Sequence, residues 1–94
     1  DSLFTIGRID DNDVVINDYA VSKHHAMLHF LDGVYNIKDM NSTNGIFLDG
    51  KRMPPDSEAK LPYNTVITFG RINFVFMHPL QLYRQVRKEI LNLQ

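Results

Sequence analysis

The sequence predicts an all-β, antiparallel sandwich that is followed by one amphipathic α-helix. Short apolar runs recur at close spacing, and several of them alternate with polar residues as strands do. Turn-forming Gly and Asp residues separate these runs, and the apolar period changes from two to 3.6 after Pro79. With 94 residues and 44% apolar content, the chain corresponds to one small globular domain.

Four strands are predicted in the first 37 residues. Residues 3–6 are apolar and partly β-branched, and residues 13–17 form an apolar run bounded by turn formers. We expect residues 13–17 to be a buried strand. Ala26, Leu28 and Phe30 then alternate with His25, Met27 and His29, and Asp32-Gly33 indicates a tight hairpin turn into residues 34–37.

The remaining strands follow the same pattern, which brings the total to about seven. Residues 46–48 run into a second Asp-Gly hairpin signal at Asp49-Gly50, and residues 65–69 and 72–76 are the closing strands. Residues 53–62 contain three prolines among polar and charged residues. We therefore expect this segment to be a surface loop.

The chain divides into a β-sandwich at residues 1–78 and a helix, or the start of a linker, at residues 79–94. Pro79 is suited to the first helical position because its missing N–H would be unpaired there. An apolar stripe lies on one helix face and contains Leu82, Tyr83, Val86, Ile90 and Leu93. We expect the stripe to pack against the sandwich; the alternatives are a contact with a partner or second copy, and a connection to a following domain.

Composition excludes several classes of function. The net charge of −1 argues against nucleic-acid binding, which needs many cations on one face. The chain has no cysteine, so it has neither disulfides nor a cysteine zinc site, and no apolar run has the length of a membrane span. These features favour an intracellular protein, cytoplasmic or nuclear.

The charge is unevenly distributed. Residues 1–78 hold seven Lys or Arg against ten Asp or Glu, a net of −3, whereas residues 79–94 hold three against one, a net of +2. Any anion site in the first segment must therefore depend on a few local cations and hydroxyls.

Three polar clusters in loops are the candidates for function, because loops carry function more often than packing. They are Gly7-Arg8, residues 22–25 and residues 39–45. Arg offers a planar fork of donors for an oxyanion, Lys a flexible charge, and Ser and Thr hydroxyl donors. If the loops converge, they form a phosphate receptor that binds without catalysis.

Catalysis and metal binding are poorly supported by the same residues. A Ser22–His25–Asp39 triad is conceivable by residue type, but no nucleophile elbow or oxyanion motif accompanies it. The two histidines that share a strand face, His25 and His29, lack a plausible third ligand. We therefore expect neither an enzyme nor a metal or other cofactor.

The order of these motifs resembles the forkhead-associated (FHA) domain family. The resemblance covers residues 4–77 and is carried by Gly7-Arg8, residues 12–16, 21–26 and 39–45, Asp49-Gly50, and the closing strands at 66–70 and 74–76. It implies a β-sandwich of the FHA/SMAD type and binding of phosphothreonine-containing proteins or peptides, which in turn implies an upstream Ser/Thr kinase.

The resemblance also implies a role for each motif residue. Arg8, Ser22 and Thr43 would hold the phosphate, Lys23 would add a contact, and Asn44 would bond the ligand backbone. Ser42 is a further hydroxyl candidate, although it is equally suited to a local turn. Residues that would shape the loops from inside are Gly7, His25 and Gly45.

One departure from the family pattern favours an alternative function. Only six residues precede Gly7, where the family has further strands, so the sandwich is predicted to be N-terminally short. A sheet edge left open in this way can recruit another chain. The alternative is thus a structural or oligomerisation module, with a homodimer formed through the open edge or the C-terminal helix.

Overall fold

The protein is a two-sheet β-sandwich with one C-terminal helix. The computed structural model describes residues 2–93; Asp1 and Gln94, the outermost residues of the two predicted units, lie outside that range. In chain order the elements are β1 (Ser2–Gly7), β2 (Val14–Val15), β3 (Ala26–Leu31), β4 (Val34–Asp39), β5 (Ile46–Leu48), β6 (Lys51–Arg52), β7 (Glu58–Lys60), β8 (Val66–Phe69), β9 (Ile72–Val75) and α1 (Pro79–Asn92). Sheet A has the order β2-β1-β3-β4-β7, and sheet B has the order β6-β5-β8-β9.

The two Asp-Gly pairs form the hairpin turns that the sequence predicts. The φ angles are 54° at Asp32 and 77° at Gly33, and 50° at Asp49 and 82° at Gly50. A type I′ turn needs a positive φ at both central residues, which Asp tolerates and Gly adopts freely. These turns fix the register of the β3–β4 and β5–β6 pairs.

The core lies between the two sheets and is small. Alternate residues of the central strands point inward, so a single layer of apolar side chains fills the space. The buried apolar residues are Ile6, Val21, Ala26, Ile37, Ile46, Met53, Leu61, Ile67 and Phe69. Val21 belongs to no strand, and its burial anchors a loop at one end of the sandwich.

The prediction of a buried strand at residues 13–17 is wrong. Strand β2 has only two residues, and the exposed fractions of Val14 and Val15 are 45% and 44%. The strand lies at the edge of sheet A and pairs with β1 alone, as the one parallel pair among the described strands. An apolar run shows that a segment favours extended structure, but not that a second layer covers it.

The prediction of a surface loop at residues 53–62 is also wrong. Met53 and Leu61 are buried, and β7 lies between them and pairs with β4. Backbone bonds hold both ends: the Met53 N–H donates to the Ile46 carbonyl at 2.8 Å, and the Leu61 N–H donates to the Tyr35 carbonyl at 2.8 Å. The prolines lie outside the paired residues, where a missing N–H removes no ladder bond.

Helix α1 begins at Pro79, as predicted, and is capped by the preceding histidine. The His78 Nδ1 accepts a hydrogen bond from the Leu80 N–H at 3.0 Å. No helix residue is buried, so the expectation that its apolar stripe packs against the sandwich is wrong. The stripe residues are 48–87% exposed. A 3.6 period identifies an apolar face but not the surface that covers it.

Because the helix covers none of the core, it should add little to the stability of the sandwich. Ending the chain after His78 keeps the ring contact between His78 and Tyr63. We expect the free energy of unfolding to change by less than about 0.5 kcal/mol in urea denaturation at low protein concentration. As a control, Ile37→Ala should cost about 3 kcal/mol, since Ile37 is fully buried. A loss above about 1 kcal/mol on truncation would contradict the predicted division at residue 78.

Candidate functional site

Three loops meet at one end of the sandwich and enclose an open cleft. Loop 1 (residues 8–13) follows β1, loop 2 (residues 16–25) precedes β3, and loop 3 (residues 40–45) connects β4 to β5. The cleft has a volume of about 490 Å³, and it is lined by Arg8, Tyr19, Ala20, Val21, Ser22, Lys23, His24, Met40, Asn41, Thr43 and Asn44. Together with Gly7 at the end of β1 and Asp39 at the end of β4, these loops contain the three polar clusters that the sequence singles out.

Arg8 is held in place by the backbone of loop 2. Its N–H donates to the Ser22 carbonyl at 3.0 Å, and its Nε donates to the Val21 carbonyl at 3.0 Å. The two terminal guanidinium nitrogens have no acceptor among the described residues. Arg8 thus brings an oriented pair of charged donors to the cleft.

Gly7 lets loop 1 approach loop 2 closely. A Cβ atom at Gly7 would collide with the Lys23 carbonyl, so a side chain does not fit there. The Asn12 amide then joins the two loops, since its Nδ2 donates to the Ile9 carbonyl at 2.8 Å and to the Lys23 carbonyl at 2.9 Å. The Lys23 side chain itself is exposed at the rim of the cleft.

His25 is fully buried and bridges loops 2 and 3. The Ser22 N–H donates to its Nδ1 at 2.9 Å, so Nδ1 is an acceptor and Nε2 carries the proton, which it donates to the Gly45 carbonyl at 2.8 Å. Neither ring nitrogen can then accept a proton from the Ser22 hydroxyl. This geometry excludes the Ser22–His25–Asp39 triad.

The environment of His25 keeps its imidazole neutral. Burial lowers the pKa of His25 from its ordinary value, and this effect outweighs the opposite influence of the Gly45 carbonyl and the Asp39 charge. The ring is therefore a structural acceptor and donor, in agreement with the supporting role that the resemblance implies.

Two further bonds align loop 2 with loop 3. The Thr43 N–H donates to the Ser22 Oγ at 3.0 Å, and the Asn44 Nδ2 donates to the Ala20 carbonyl at 2.9 Å. Ser22 keeps its own hydroxyl proton for another acceptor, and Asn44 keeps its carbonyl oxygen and a second N–H. Gly45 follows with a φ of 82°, which only glycine adopts readily.

Ser42 lies outside the lining of the cleft. It is buried, and both its N–H and its hydroxyl donate to the Asp39 Oδ1. The Asp39 Oδ2 accepts from the Asp56 N–H at 3.0 Å, so this carboxylate fixes loop 3 from beneath. The sequence contains the signal, because Asp followed three residues later by Ser is typical of a side chain that bonds its own turn.

Tyr19, His24 and Met40 line the cleft although sequence reasoning gave them no role there. Tyr19 is 95% exposed, and the His24 Nε2 lies 3.7 Å from the Asp11 Oδ2. Tyr19 lies outside every motif, whereas His24 and Met40 lie within motifs in which other residues carry the predicted roles. Their place in the cleft follows from the way loops 2 and 3 fold together.

Residues 2–93 hold no group of three or more His, Cys, Asp or Glu side chains arranged to bind a metal ion. They also contain no helix of the length and apolarity needed to span a membrane.

The comparison with protein families decides the assignment. The model of the FHA domain matches residues 4–70. The chain belongs to the FHA domain family. The match includes all three loops of the cleft and every residue that the sequence proposes for the site.

Relatives and solved structures give the same assignment. The chain is 42% identical to the ABC transporter ATP-binding/permease protein Rv1747 of Mycobacterium tuberculosis over 71 residues. These residues are 76% of this chain and 8% of that relative. The structure of M. tuberculosis EmbR in complex with a low-affinity phosphopeptide has 31% identity and a TM-score of 0.74, and the match covers 80% of this chain and 19% of that one.

A yeast FHA domain provides a third comparison. The structure of the N-terminal FHA domain of Saccharomyces cerevisiae Rad53p in complex with a phosphothreonine peptide has 30% identity and a TM-score of 0.69. That match covers 73% of this chain and 56% of the other. The chain spans less than half the length of the curated relatives described by these comparisons.

The neutral state of His25 predicts how stability depends on pH. Its folded-state pKa lies below the value of about 6.5 expected in the unfolded chain, so the unfolded state binds more protons in acid. The stabilising contribution of His25 should be complete above pH 6.5 and should decline as the pH falls from there towards the folded-state pKa.

The tautomer and the pKa of the His25 ring can be measured by ¹⁵N NMR of the imidazole nitrogens. We expect His25 to show the Nε2–H tautomer and to titrate below the ordinary histidine pKa of about 6.5. A protonated His25 ring at pH 6.5 would contradict the assignment of Nδ1 as the acceptor of the Ser22 N–H.

Proposed function

We propose that this domain binds phosphothreonine-containing segments of partner proteins and performs no reaction on them. The observation that supports this most strongly is the set of unused donors around the cleft. Arg8 presents its two terminal nitrogens, Ser22 its hydroxyl proton and Lys23 its ammonium, all beside one open volume. A phosphoryl group matches this set, because it brings a charge of about −1.5 to −2 and three acceptor oxygens.

The charges of Arg8 and Lys23 act locally. Residues 1–78 carry a net charge of −3, so the body of the domain does not attract anions in general. Arg8 is half-buried and oriented by loop 2, which favours directed, charge-assisted bonds over non-specific attraction.

Thr43 and Asn44 complete the proposed contacts. The Thr43 hydroxyl lies on the cleft and adds a donor for the phosphate, while the Asn44 carbonyl and free N–H are suited to a peptide backbone. Ser42 is left out of the ligand set, because its hydroxyl bonds the buried Asp39 carboxylate. We assign it to the positioning of loop 3.

The relatives support this proposal. The EmbR and Rad53p structures are complexes with a phosphopeptide and a phosphothreonine peptide, respectively. By the same reasoning, the partner is a protein that an upstream Ser/Thr kinase has modified. Dependence on such a kinase favours a location inside the cell, in the cytoplasm or the nucleus. The bonds of the His25 ring leave it unable to act as a general base toward the Ser22 hydroxyl, which favours a binding module over a hydrolase built on these residues.

Arg8→Ala should weaken phosphopeptide binding by about 2–4 kcal/mol, since it removes a charge-assisted contact from a pocket built around it. Titration calorimetry against a phosphopeptide chosen from an oriented phosphothreonine library would measure the loss. Arg84→Ala, on the exposed helix, is the matched control and should bind as the unaltered domain does.

The same titration tests the requirement for the phosphate. The unphosphorylated form of the peptide should show no measurable binding. Equal affinity of the two forms, or an Arg8→Ala variant that binds as tightly as the original domain, would refute the proposed site.

Self-association is a second candidate function that is compatible with the first. The uncovered stripe on α1 and the edge strand β9, where Phe74 and Val75 are exposed, favour it. An apolar helix face of this kind can pack against the same face of a second copy, and an edge strand has backbone groups free to pair.

Light scattering over a range of protein concentrations tests self-association. We expect a monomer–dimer equilibrium that Val86→Glu shifts to monomer, because the change places a charge on the apolar face. Gln85→Glu adds the same charge on the polar face and should leave the equilibrium unchanged. A domain that is monomeric at every concentration would exclude this function, and a dimer insensitive to Val86→Glu would show that the contact lies outside the apolar face of α1.

A further inference from the structure

Tyr19 has an unusual place in the cleft. A single exposed aromatic residue is ordinary on a protein surface. Tyr19, however, is 95% exposed and lies on loop 2 in the wall of the cleft that holds Arg8 and Ser22. Its ring gains almost no packing energy from the domain itself, so its apolar area remains available to a ligand.

Hydrogen bonds of Asp18 hold the backbone in place on the N-terminal side of Tyr19. The Asp18 carboxylate accepts from the Arg71 Nε, which lies 3.2 Å from each oxygen, and from the Arg71 Nη2 at 2.9 Å. It also accepts from the Ala20 N–H at 2.8 Å. Arg71 lowers the pKa of Asp18, so the carboxylate is ionised at neutral pH. The Asp18 carbonyl also accepts from the Val21 N–H at 3.0 Å.

The C-terminal side of Tyr19 is held equally closely. The Ala20 carbonyl accepts from the Asn44 Nδ2 at 2.9 Å, and the backbone of Gly70 packs so tightly on Ala20 that a Cβ atom there would collide with it. A residue fixed on both sides needs little further ordering when it contacts a ligand.

The bonds between loops 2 and 3 define an order along the cleft. The Ser22–Thr43 bond lies beside Arg8, and the next bond, between Ala20 and Asn44, leads to Tyr19. At the other end, His24 lies near the Asp11 carboxylate, so that end is charged. A peptide that leaves the phosphate contacts past Asn44 therefore meets an aromatic ring.

We propose that Tyr19 is a specificity-determining residue that selects an apolar side chain on the ligand, next to the phosphothreonine and on the Asn44 side of the cleft. The inference rests on the proposed phosphothreonine binding and deepens it. An aliphatic or aromatic side chain covers the ring and removes apolar area of both from water. A serine in that place leaves the ring exposed and gains nothing.

A positional scan tests the inference. The probes are phosphothreonine peptides with serine at the three positions on each side, and a series in which leucine replaces one serine at a time. Affinities are measured by fluorescence anisotropy for the unaltered domain, for Tyr19→Ser and for Tyr83→Ser. Tyr83 is an exposed tyrosine on α1 outside the cleft, so it is the matched control.

The expected result is a gain of about fivefold in the affinity of the unaltered domain when leucine stands at one position on one side of the phosphothreonine. Tyr83→Ser should keep the gain and Tyr19→Ser should lose it. Tyr19→Ser should still bind the all-serine phosphopeptide within about twofold of the unaltered domain, which shows that the phosphate contacts are intact.

Two results would overturn the inference while leaving the proposed function standing. In one, no position responds to leucine although binding still depends on the phosphate. In the other, the leucine gain persists in Tyr19→Ser. Failure of the unaltered domain to bind any of the phosphorylated peptides is a different outcome, because it refutes the phosphothreonine binding itself.

Discussion

The binding end of this domain depends on one buried imidazole. His25 accepts from the Ser22 N–H and donates to the Gly45 carbonyl, so it joins the loop that carries Ser22 and Lys23 to the loop that carries Thr43 and Asn44. Without the ring, the Ser22 N–H would lose its partner, at a cost of about 1–3 kcal/mol, and the Gly45 carbonyl would keep only the 3.4 Å bond from the Gly70 N–H. Because burial keeps the ring neutral, both bonds persist at physiological pH.

The polar groups around the cleft divide into those that build it and those that remain unused. The Asn12 Nδ2, the Asp39 carboxylate and the Ser42 hydroxyl form hydrogen bonds within the loops themselves. The terminal nitrogens of Arg8 and the hydroxyl proton of Ser22 do not. A cleft whose frame is bonded in this way exists before a ligand arrives, so binding need not reorganise the loops.

The sequence predicts the parts of the fold where local chemistry leaves little choice. The Asp32-Gly33 and Asp49-Gly50 turns follow from the left-handed geometry that those residues tolerate, and the helix start follows from Pro79. Strand β7 was missed because Glu, Ala and Lys favour no strand by themselves; pairing with β4 decides its conformation.

The site was predictable to the extent that its residues form ordered motifs. Arg8, Ser22, Lys23, Thr43 and Asn44 line one cleft, and their contacts with a phosphopeptide stay a prediction. The exposure of β2, the uncovered stripe on α1 and the place of Tyr19 in the wall depend on which elements meet in space. A pattern within one segment carries no information about that.

The direction of β9 has a consequence for how the domain can be used. At one end of sheet B, the Gly70 N–H donates to the Gly45 carbonyl beside the cleft; at the other, the Phe76 N–H donates to the Thr65 carbonyl just before α1 begins. The cleft and the N-terminus of α1 thus lie at opposite ends of the sandwich. A tether attached at the helix end leaves the cleft facing away from the attachment, so anchoring and the proposed ligand binding do not compete for the same surface.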